Sequence, residues 1–360
     1  SEYFQPHFKP DFNLDLLRSN NYICHFFVVR REIAEKTGGL RPEYNGAQDY
    51  DYIFRCTEMA GKIVHIPRVL YHWRVHSAST ADNPASKLYA YEAGKKVIEG
   101  NLARCGEEGT VTLRSDYGFY DVDYKLRGTP LVSILIPNKD QADTLRTCLE
   151  SIKKKCMYPS YEILIIENNS TEEATFSYYK ELEAQGIRVL KYPKQGFNYS
   201  AINNFAVREA RGEYLLFLNN DVEIITGSWL EEMLQLCQQK DVGMVGAKLY
   251  YPDDTIQHAG VVVGLGGVAA HVLCKLPRDA EGYMGRLRCV QEISAVTAAC
   301  MMVKTSVFKA VGGFDEELKV AFNDIDLCMK VRKYGMKIVF TPYAELYHYE
   351  SKSRGLEDTP

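Results

Sequence analysis

The residues best suited to chemistry are an aspartate at the end of an apolar run and a distant histidine. Asn219-Asn220-Asp221 directly follows the run YLLFL at residues 214–218, which predicts a carboxylate at the lip of a sheet. A hard divalent cation takes oxygen ligands and often shares them with substrate phosphates. One carboxylate binds such an ion weakly, and His348, in the segment LYHYES, is the best candidate for a second ligand because imidazole suits Mn²⁺ better than Mg²⁺. Asp221 and His348 together predict a site for Mn²⁺ or Mg²⁺.

A third motif, Asn323-Asp324-Ile325-Asp326, falls where a helix is expected to begin. An acidic residue at a helix start is commonly only a cap. In the same way, Asp221 alone could be a turn former and His348 alone a core residue. The occurrence of all three motifs in one chain favours a functional interpretation. Asp324 is then a general base that takes a proton from an acceptor hydroxyl, and Asp326 is a supporting residue or a second cap.

The elements that must position these residues begin at Leu131, where buried strands and amphipathic helices alternate. The predicted strands cover residues 131–137, 161–166, 187–192, 214–218 and 243–250, and the predicted helices cover residues 140–156, 171–185, 200–210 and 229–239. Strands separated by helices of this length imply right-handed crossovers and a mainly parallel sheet. The predicted fold class is therefore α/β. No GxGxxG follows the first strand, so a dinucleotide-binding interpretation is weak.

Polar residues follow three of these strands, at the ends where the ligands of parallel sheets lie. They are Asn138 and Asp140, Glu167 and Asn169, and Asn219 to Asp221. Three strand ends with polar or acidic side chains predict one binding site rather than scattered surface residues.

Part of the pattern occurs twice. Residues 38–77 match residues 312–351 with only single-residue gaps, and the match aligns Asp49 with Asp324 and His72 with His348. Repeats of this length are rarely accidental. Only the second copy is preceded by the alternating strands and helices. The sequence therefore predicts that residues 1–80 are the C-terminal half of a truncated repeat and that the chain is a fragment of a longer one.

The region between the two copies has a different character. Residues 86–104 have helical periodicity, and residues 110–125 are tyrosine-rich and read as extended. We expect residues 81–128 to be a helical and extended linker and residues 129–360 to be the complete domain.

Composition narrows the function classes. Hydrophobic residues make up 46% and charged residues 25% of the 360-residue chain, as in ordinary globular proteins. The formal net charge of -4 offers no basic surface for nucleic acid. Ten cysteines without a CxxC pair are expected to be reduced core residues of a cytoplasmic protein. No apolar stretch predicts a membrane span, although a peripheral position at an inner membrane stays open.

From Leu131 to about Gly355 the chain resembles the inverting glycosyltransferases of family 2, which have the GT-A fold. The segments that carry the resemblance are VSILIP, IIENNST, FNYSAINNFAVREARGEYLLFLNND and TPYAELYHYESKSRG. The segments IQHAGVVVG and SAVTAACMMV are similar to rhamnosyltransferase-like enzymes of bacterial surface polysaccharides, although Ala298 replaces a glycine common there. The family's Asp-x-Asp appears as Asn219-Asn220-Asp221 and its Glu-Asp as Asn323-Asp324, so one acidic residue of each pair is lost.

The resemblance implies transfer of a sugar from a nucleoside-diphosphate sugar to a hydroxyl of a glycan or lipid-linked glycan, with Asp324 as the base and the metal on Asp221 and His348. The implied substrate-binding residues are Pro137, Asn138, Asp140, Glu167, Asn169, Asn203, Asn219, Asn220 and Asp326. Residues 1–80 then resemble the acceptor half of a second GT-A-like unit, without transferase activity of their own.

Other classes compete with this interpretation. A non-catalytic sugar-nucleotide or glycan-binding module is favoured by the two asparagines, Asn219 and Asn323, that replace acids. A sugar nucleotidyltransferase would carry a glycine-rich basic loop after the first strand, where this chain has Asn138-Lys139-Asp140-Gln141. A glycoside hydrolase would need two facing carboxylates, and no residue pairs with Asp324 in the sequence.

Overall fold

The computed structural model describes residues 3–74 and 88–350, and their contacts divide the chain into two compact units. Unit 1 comprises Ser1–Lys125 together with Tyr283–Gln291, and unit 2 comprises Leu126–Gly282 together with Glu292–Pro360. The residues of the predicted linker up to Lys125 therefore share a unit with residues 1–80.

Unit 1 is mainly helical. Its described helices are α1 (Leu14–Ser19), α2 (Arg31–Thr37), α3 (Gln48–Met59) and α4 (Leu88–Cys105), with a 3-10 turn at Pro42–Tyr44 and two 3-10 turns joined by a kink within Tyr283–Arg288. The antiparallel hairpin of β1 (Gly109–Leu113) and β2 (Tyr120–Tyr124) completes it. Arg18 is buried, and it donates to Asn101 Oδ1 and Tyr124 Oη, each at 2.8 Å, so one guanidinium ties α1 to α4 and β2.

Unit 2 contains a large mixed sheet with helices on it. The strands from the start of unit 2 onward are β3 (Val132–Asn138), β4 (Tyr161–Glu167), β5 (Arg188–Lys191), β6 (Tyr214–Leu218), β7 (Val222–Ile224), β8 (Val242–Tyr250), β9 (Ile256–His258), β10 (Val261–Val263), β11 (Ala269–His271), β12 (Gln291–Glu292, at the boundary between the units), β13 (Cys300–Lys304) and β14 (Lys337–His348). The helices are α5 (Ala142–Lys155), α6 (Glu173–Ala184), α7 (Tyr199–Glu209), α8 (Trp229–Cys237), α9 (Thr305–Ala310) and α10 (Asn323–Lys333).

The strand order explains where the site must lie. Neighbouring strands run in the order β5-β4-β3-β6-β13-β8-β14, with β7 paired to β14 and β9 to β8. The pairs β5-β4, β4-β3, β3-β6 and β8-β14 are parallel, whereas β13 is antiparallel to both of its neighbours. The chain leaves β3 toward β4 on one side and reaches β6 on the other side. The order therefore reverses between β3 and β6, and ligands of such sheets bind at this crevice.

The apolar pattern accounts for these elements. All nine residues of β8 and six of the seven residues of β3 are buried, as expected for strands covered on both faces. On α5, the buried Leu145, Leu149 and Ile152 recur at helical spacing, so this helix covers the sheet with one stripe. The predicted strands and helices of residues 131–250 agree with the observed ones to within two residues at each end.

In both copies of the repeat, one helix ends just before the glycine pair and a longer helix follows it. α2, Gly38-Gly39 and α3 correspond to α9, Gly312-Gly313 and α10. The second aspartate of each copy forms an ion pair one turn along its helix: Asp51 Oδ2 lies 2.8 Å from Arg55 Nη2, and Asp326 Oδ2 lies 2.8 Å from Lys330 Nζ. The later part differs, because residues 62–74 form no strand in the described part of unit 1, whereas their counterparts form β14. That residues 1–80 are half of a GT-A-like unit stays a prediction.

Two further observations concern the whole described chain. None of the helices within residues 3–74 and 88–350 combines the length and apolar character that a bilayer span requires. All ten cysteines lie in these ranges with free thiols, and six of them are buried: Cys56, Cys148, Cys237, Cys289, Cys300 and Cys328.

Candidate active site

Strand pairing brings Asp221 and His348 together across a long stretch of sequence. β6 ends at Leu218, and the backbone N–H of Asn219 then donates to the carbonyl of Ala299 at 3.0 Å, which fixes the turn. β7 starts directly afterwards and pairs antiparallel with β14, placing Val222 opposite His348. The backbone N–H of Tyr349 donates to the carbonyl of Asp221 at 2.9 Å. The turn after β6 and the end of β14 therefore lie side by side. We call this place, formed by residues 219–221 and 348–349, the Asp221–His348 corner.

In this corner three polar side chains meet. His348 Nε2 lies 3.2 Å from Asp221 Oδ1 and 3.1 Å from Asn219 Nδ2. Asp221 and His348 are only 7% and 8% exposed, so their charges and dipoles act in a poorly screened environment. The structure thus brings together the two predicted metal ligands and one predicted substrate-binding residue.

The geometry fits a divalent cation of the Mg²⁺ or Mn²⁺ type. Two ligand atoms that each lie ~2.1 Å from one ion at a right angle are separated by about 3 Å, close to the separation of Nε2 and Oδ1. Within residues 3–74 and 88–350 no three His, Cys, Asp or Glu side chains form a metal-binding group. Asp221 and His348 would therefore hold such an ion together with water and phosphate oxygens, as is common for Mg²⁺.

The switch point between β3 and β6 is closed by two asparagines. Asn220 Nδ2 donates to Asn138 Oδ1 at 2.6 Å, and Asn138 Nδ2 donates to Tyr179 Oη at 2.7 Å. Asn138 is buried at the end of β3, directly after the half-buried Pro137. These bonds hold the two strand ends at one edge of the sheet, where the sequence predicted them.

The other predicted strand-end residues bind backbone groups. Glu167 Oε1 accepts from the N–H of Ser170 at 2.6 Å, and Asn169 Oδ1 accepts from the N–H of Gly196 at 2.9 Å. Asp140 Oδ1 accepts from two backbone N–H groups, those of Thr171 and Glu172, at 2.7 and 2.9 Å. Burial acts to raise the pKa of Asp140, but these hydrogen bonds outweigh it and lower that pKa. The three residues lie at the expected edge and shape its loops; a contact with substrate stays a prediction.

Asn203 has a different environment. It is fully buried on α7, and its Nδ2 donates to the carbonyl of Tyr199, one turn earlier, at 2.9 Å. The contacts described for Asn203 do not place it with the strand-end residues.

Asp324 lies in the first turn of α10 and is tied to the Asp221–His348 corner through two adjacent backbone groups. Asp324 Oδ2 accepts from the N–H of Ala298 at 3.3 Å, while the carbonyl of the next residue, Ala299, accepts from Asn219. Burial raises the pKa of Asp324, although hydrogen bonds from the N–H groups of Ile325 and Ala298 and the nearby His271 act in the opposite direction. A raised pKa makes a carboxylate a stronger base, as proton abstraction requires.

Asp326, two residues later, points to a different partner. Its carboxylate pairs with Lys330 on the surface of α10, and its side chain is 30% exposed. The described contacts therefore support a helix-stabilising role for Asp326.

Sequence reasoning missed three residues of β9 and β11. Gln257 Oε1 lies 2.6 Å from His348 Nδ1, and His258 Nδ1 lies 2.9 Å from His271 Nδ1. Burial keeps the pKa of His258 well below its ordinary value, and burial also lowers the pKa of His271, which the charges of Asp324 and Glu350 oppose. For Gln257 and His258 the signal was the segment IQHAG, whose pairings depend on strand contacts that periodicity does not report, and His271 lies outside that segment.

A cleft of about 260 Å³ adjoins the Asp221–His348 corner. It is lined by Thr144 and Thr147 of α5 together with Asp221, Val222 and Tyr349. The turn after β6, which carries Asp221, thus borders a cavity.

The glycosyl transferase family 2 domain matches residues 133–312, which is half of the chain. The chain belongs to this family. The uncharacterized protein y4gI of Sinorhizobium fredii is 48% identical over 98% of this chain, and the O-antigen biosynthesis protein RfbC of Myxococcus xanthus is 42% identical over 99% of it. This family 2 chain spans 40% and 28%, respectively, of the lengths of these relatives.

A solved structure shows the same fold. The crystal structure of GalNAc-T7 with UDP, GalNAc and Mn²⁺ matches with a TM-score of 0.51 at 14% identity, covering 67% of this chain and 47% of that chain. At this identity the likeness concerns the fold alone. Together with the family 2 match, it confirms the predicted GT-A fold with its mainly parallel sheet.

Proposed function

We propose that unit 2 is a metal-dependent, inverting glycosyltransferase that moves a sugar from a nucleoside-diphosphate sugar to a hydroxyl of a growing bacterial surface glycan. The observation that carries this proposal is the meeting of Asp221, Asn219 and His348 at one strand end. Asp324 accepts from the N–H of Ala298, the residue before the one whose carbonyl accepts from Asn219. The relative from Myxococcus xanthus is an O-antigen biosynthesis protein, which supports a free or lipid-linked glycan as the acceptor. The GalNAc-T7 structure contains Mn²⁺, which supports this ion as the cofactor.

Each residue has a definite task in this mechanism. Asp324 accepts the proton of the acceptor hydroxyl, and the hydroxyl oxygen attacks the anomeric carbon from the side opposite the departing diphosphate, which inverts the configuration. Asp221 and His348 supply the ligands for a divalent cation, which would neutralise the negative charge that grows on the diphosphate. Asn138 and Asn220 hold the strand ends so that the donor site keeps its shape. The base and the metal ligands are thus fixed by separate elements, α10 and the β7-β14 pair.

The test uses the whole chain and a panel of uridine, thymidine and guanosine diphosphate sugars. Thermal unfolding with and without Mn²⁺ identifies the nucleotide that stabilises the protein, since a ligand that binds only the folded state raises its stability. Release of nucleoside diphosphate from that donor is then measured with and without EDTA. Metal-dependent release supports a transferase. Metal-dependent binding without release, for every donor and with glycan acceptors present, would instead identify a sugar-nucleotide-binding module.

A further inference from the structure

Gln257 is placed to control how His348 presents its second ring nitrogen. The residue is 6% exposed on β9, which pairs with β8 next to β14. Its Oε1 lies 2.6 Å from His348 Nδ1, and its Nε2 donates to Glu350 Oε2 at 3.1 Å. One side-chain amide therefore connects the imidazole to a carboxylate on the same segment of chain.

The partners of this amide determine its orientation. With the opposite orientation, the amide oxygen would face the carboxylate of Glu350 and two acceptors would oppose each other. With the observed orientation, Nε2 donates to Glu350 and Oε1 is left to face His348 Nδ1. An amide oxygen can only accept, so the imidazole proton must reside on Nδ1.

This tautomer leaves a lone pair on His348 Nε2, the atom 3.2 Å from Asp221 Oδ1. The Nε2 lone pair and Asp221 Oδ1 are both acceptors, and two ligand atoms at this separation fit a cation bound by both at ~2.1 Å. Metal-binding histidines bind through such a lone pair while the other ring nitrogen donates to a neighbouring group, which fixes the ring and makes it a better ligand. The Gln257 amide therefore selects the tautomer in which Nε2 is free to bind a metal ion.

We infer that Gln257, oriented by Glu350, is a positioning residue that holds His348 in the tautomer and ring orientation needed to bind the divalent cation. The inference rests on the proposed function, since it concerns the same metal site. Loss of such an outer hydrogen bond typically weakens metal binding by 10–100-fold (an order-of-magnitude range).

The first experiment measures the dissociation constant for Mn²⁺ alone, without any nucleotide sugar, from the electron paramagnetic resonance signal of free Mn²⁺. Gln257→Leu should raise that constant about 10–100-fold. The matched control is Gln235→Leu on α8, because Gln235 is 5% exposed and its amide likewise donates to a glutamate, Glu232, at 2.9 Å. The control should stay within about twofold of the wild type. Equal Mn²⁺ affinity in Gln257→Leu and the wild type would overturn the inference.

A second variant tests whether the loss of Mn²⁺ affinity in Gln257→Leu is merely structural. In the double variant Gln257→Glu/Glu350→Gln, the carboxylate and the amide exchange places, so an acceptor again faces His348 Nδ1 and an amide again bridges the pair. We expect its Mn²⁺ affinity to return to within about threefold of the wild type. If Gln257→Leu does not fold, Gln257→Asn takes its place, since its shorter amide does not reach Nδ1. Unchanged affinity in Gln257→Asn, or a double variant as weak as Gln257→Leu, contradicts the inference.

The last measurement does not depend on the metal. In metal-free protein, ¹⁵N chemical shifts of the His348 ring report which nitrogen carries the proton, and we expect Nδ1–H in the wild type and a mixture of tautomers in Gln257→Leu. A wild-type ring without a proton on Nδ1 overturns the role of Gln257. Failure of Mn²⁺ to bind the wild type would instead overturn the proposed function, while the tautomer would still decide what Gln257 does.

Discussion

Replacing Asp324 by asparagine should separate catalysis from stability. The side chain keeps its size, and its remaining oxygen still accepts from one of the two backbone N–H groups, those of Ala298 and Ile325, that contact the carboxylate. The variant loses the base, which typically contributes roughly 10²–10⁴-fold to the rate. This loss corresponds to about 3–5 kcal/mol of transition-state stabilisation. We therefore expect kcat for nucleoside diphosphate release to fall by about that factor while donor affinity is retained.

Stability should respond differently. Loss of one hydrogen bond costs about 1 kcal/mol, but the variant also escapes the cost of burying a charge. Because burial raises the pKa of Asp324, its charged form destabilises the folded wild type as the pH rises from 3.8 through the raised pKa. The unfolding free energy of Asp324→Asn should therefore increase relative to the wild type over this pH window, as urea titrations at several pH values would show. Over the same window kcat/KM of the wild type should rise, because the base must be ionised to act.

The internal repeat supplies the control. Asp49 occupies the position of Asp324 in the first copy, at the start of α3, and it contacts Asn21 at 3.4 Å. Unit 1, as described, has no parallel strand end beside it. Asp49→Asn should leave kcat unchanged. Turnover that survives Asp324→Asn, or that is lost with Asp49→Asn instead, would refute the assignment of the base.

Three further predictions test separate parts of the structure. His348→Ala should weaken Mn²⁺ binding at least about tenfold, measured by titration calorimetry without nucleotide, because one of two protein ligands is lost; unchanged affinity would remove His348 from the metal site. Asp51→Ala should lower the unfolding free energy of unit 1, measured by urea denaturation, by about 3–5 kcal/mol, since Asp51 is fully buried and pairs with Arg41 and Arg55. The near-neutral control is Glu43→Ala, because the carboxylate of Glu43 lies in an exposed pair with Arg41. Gly246→Ala should cost about 1–3 kcal/mol because a β-carbon on this residue would lie 2.5 Å from Cβ of Val296, whereas Gly61→Ala meets no atom within 4 Å and should leave the melting temperature nearly unchanged.

The parallel part of the sheet was predictable because buried strands are uninterrupted apolar runs. The run YLLFL, for example, forms β6 without any shift of its ends. The insertion of β13 between β6 and β8 was not predictable, since the residues Cys300 to Lys304 give no sign of strand direction or neighbours. The direction of a short strand is decided by the tertiary structure around it rather than by its own side chains.

The candidate site, like the sheet, could be predicted only in part. Asp221 and His348 could be proposed as partners because carboxylate and imidazole have recognisable ligand chemistry. Gln257 could not, because an amide has no such signature and its contact with His348 spans 91 residues of sequence. Asp326 is the opposite case. Its residue type and position suggested a role in the site, but its carboxylate forms an ion pair with Lys330 along α10. Residue type indicates what a side chain can do, and only packing decides which neighbour it meets.

The two copies of the repeat make this point within one chain. Ile63, Val64 and Leu70 are 38%, 67% and 62% exposed, whereas their counterparts Ile338, Val339 and Leu346 are at most 1% exposed. The difference comes from the neighbours, because β14 pairs with β8 and is covered by α8 and α10, whereas residues 62–74 pair with no strand in the described part of unit 1. The helices α3 and α10 need no such partner, since their backbone hydrogen bonds are internal, and they are reproduced in both copies. Equivalent sequences thus give equivalent helices by themselves, but they give a strand, and with it the position of His348, only where a neighbouring strand pairs with them.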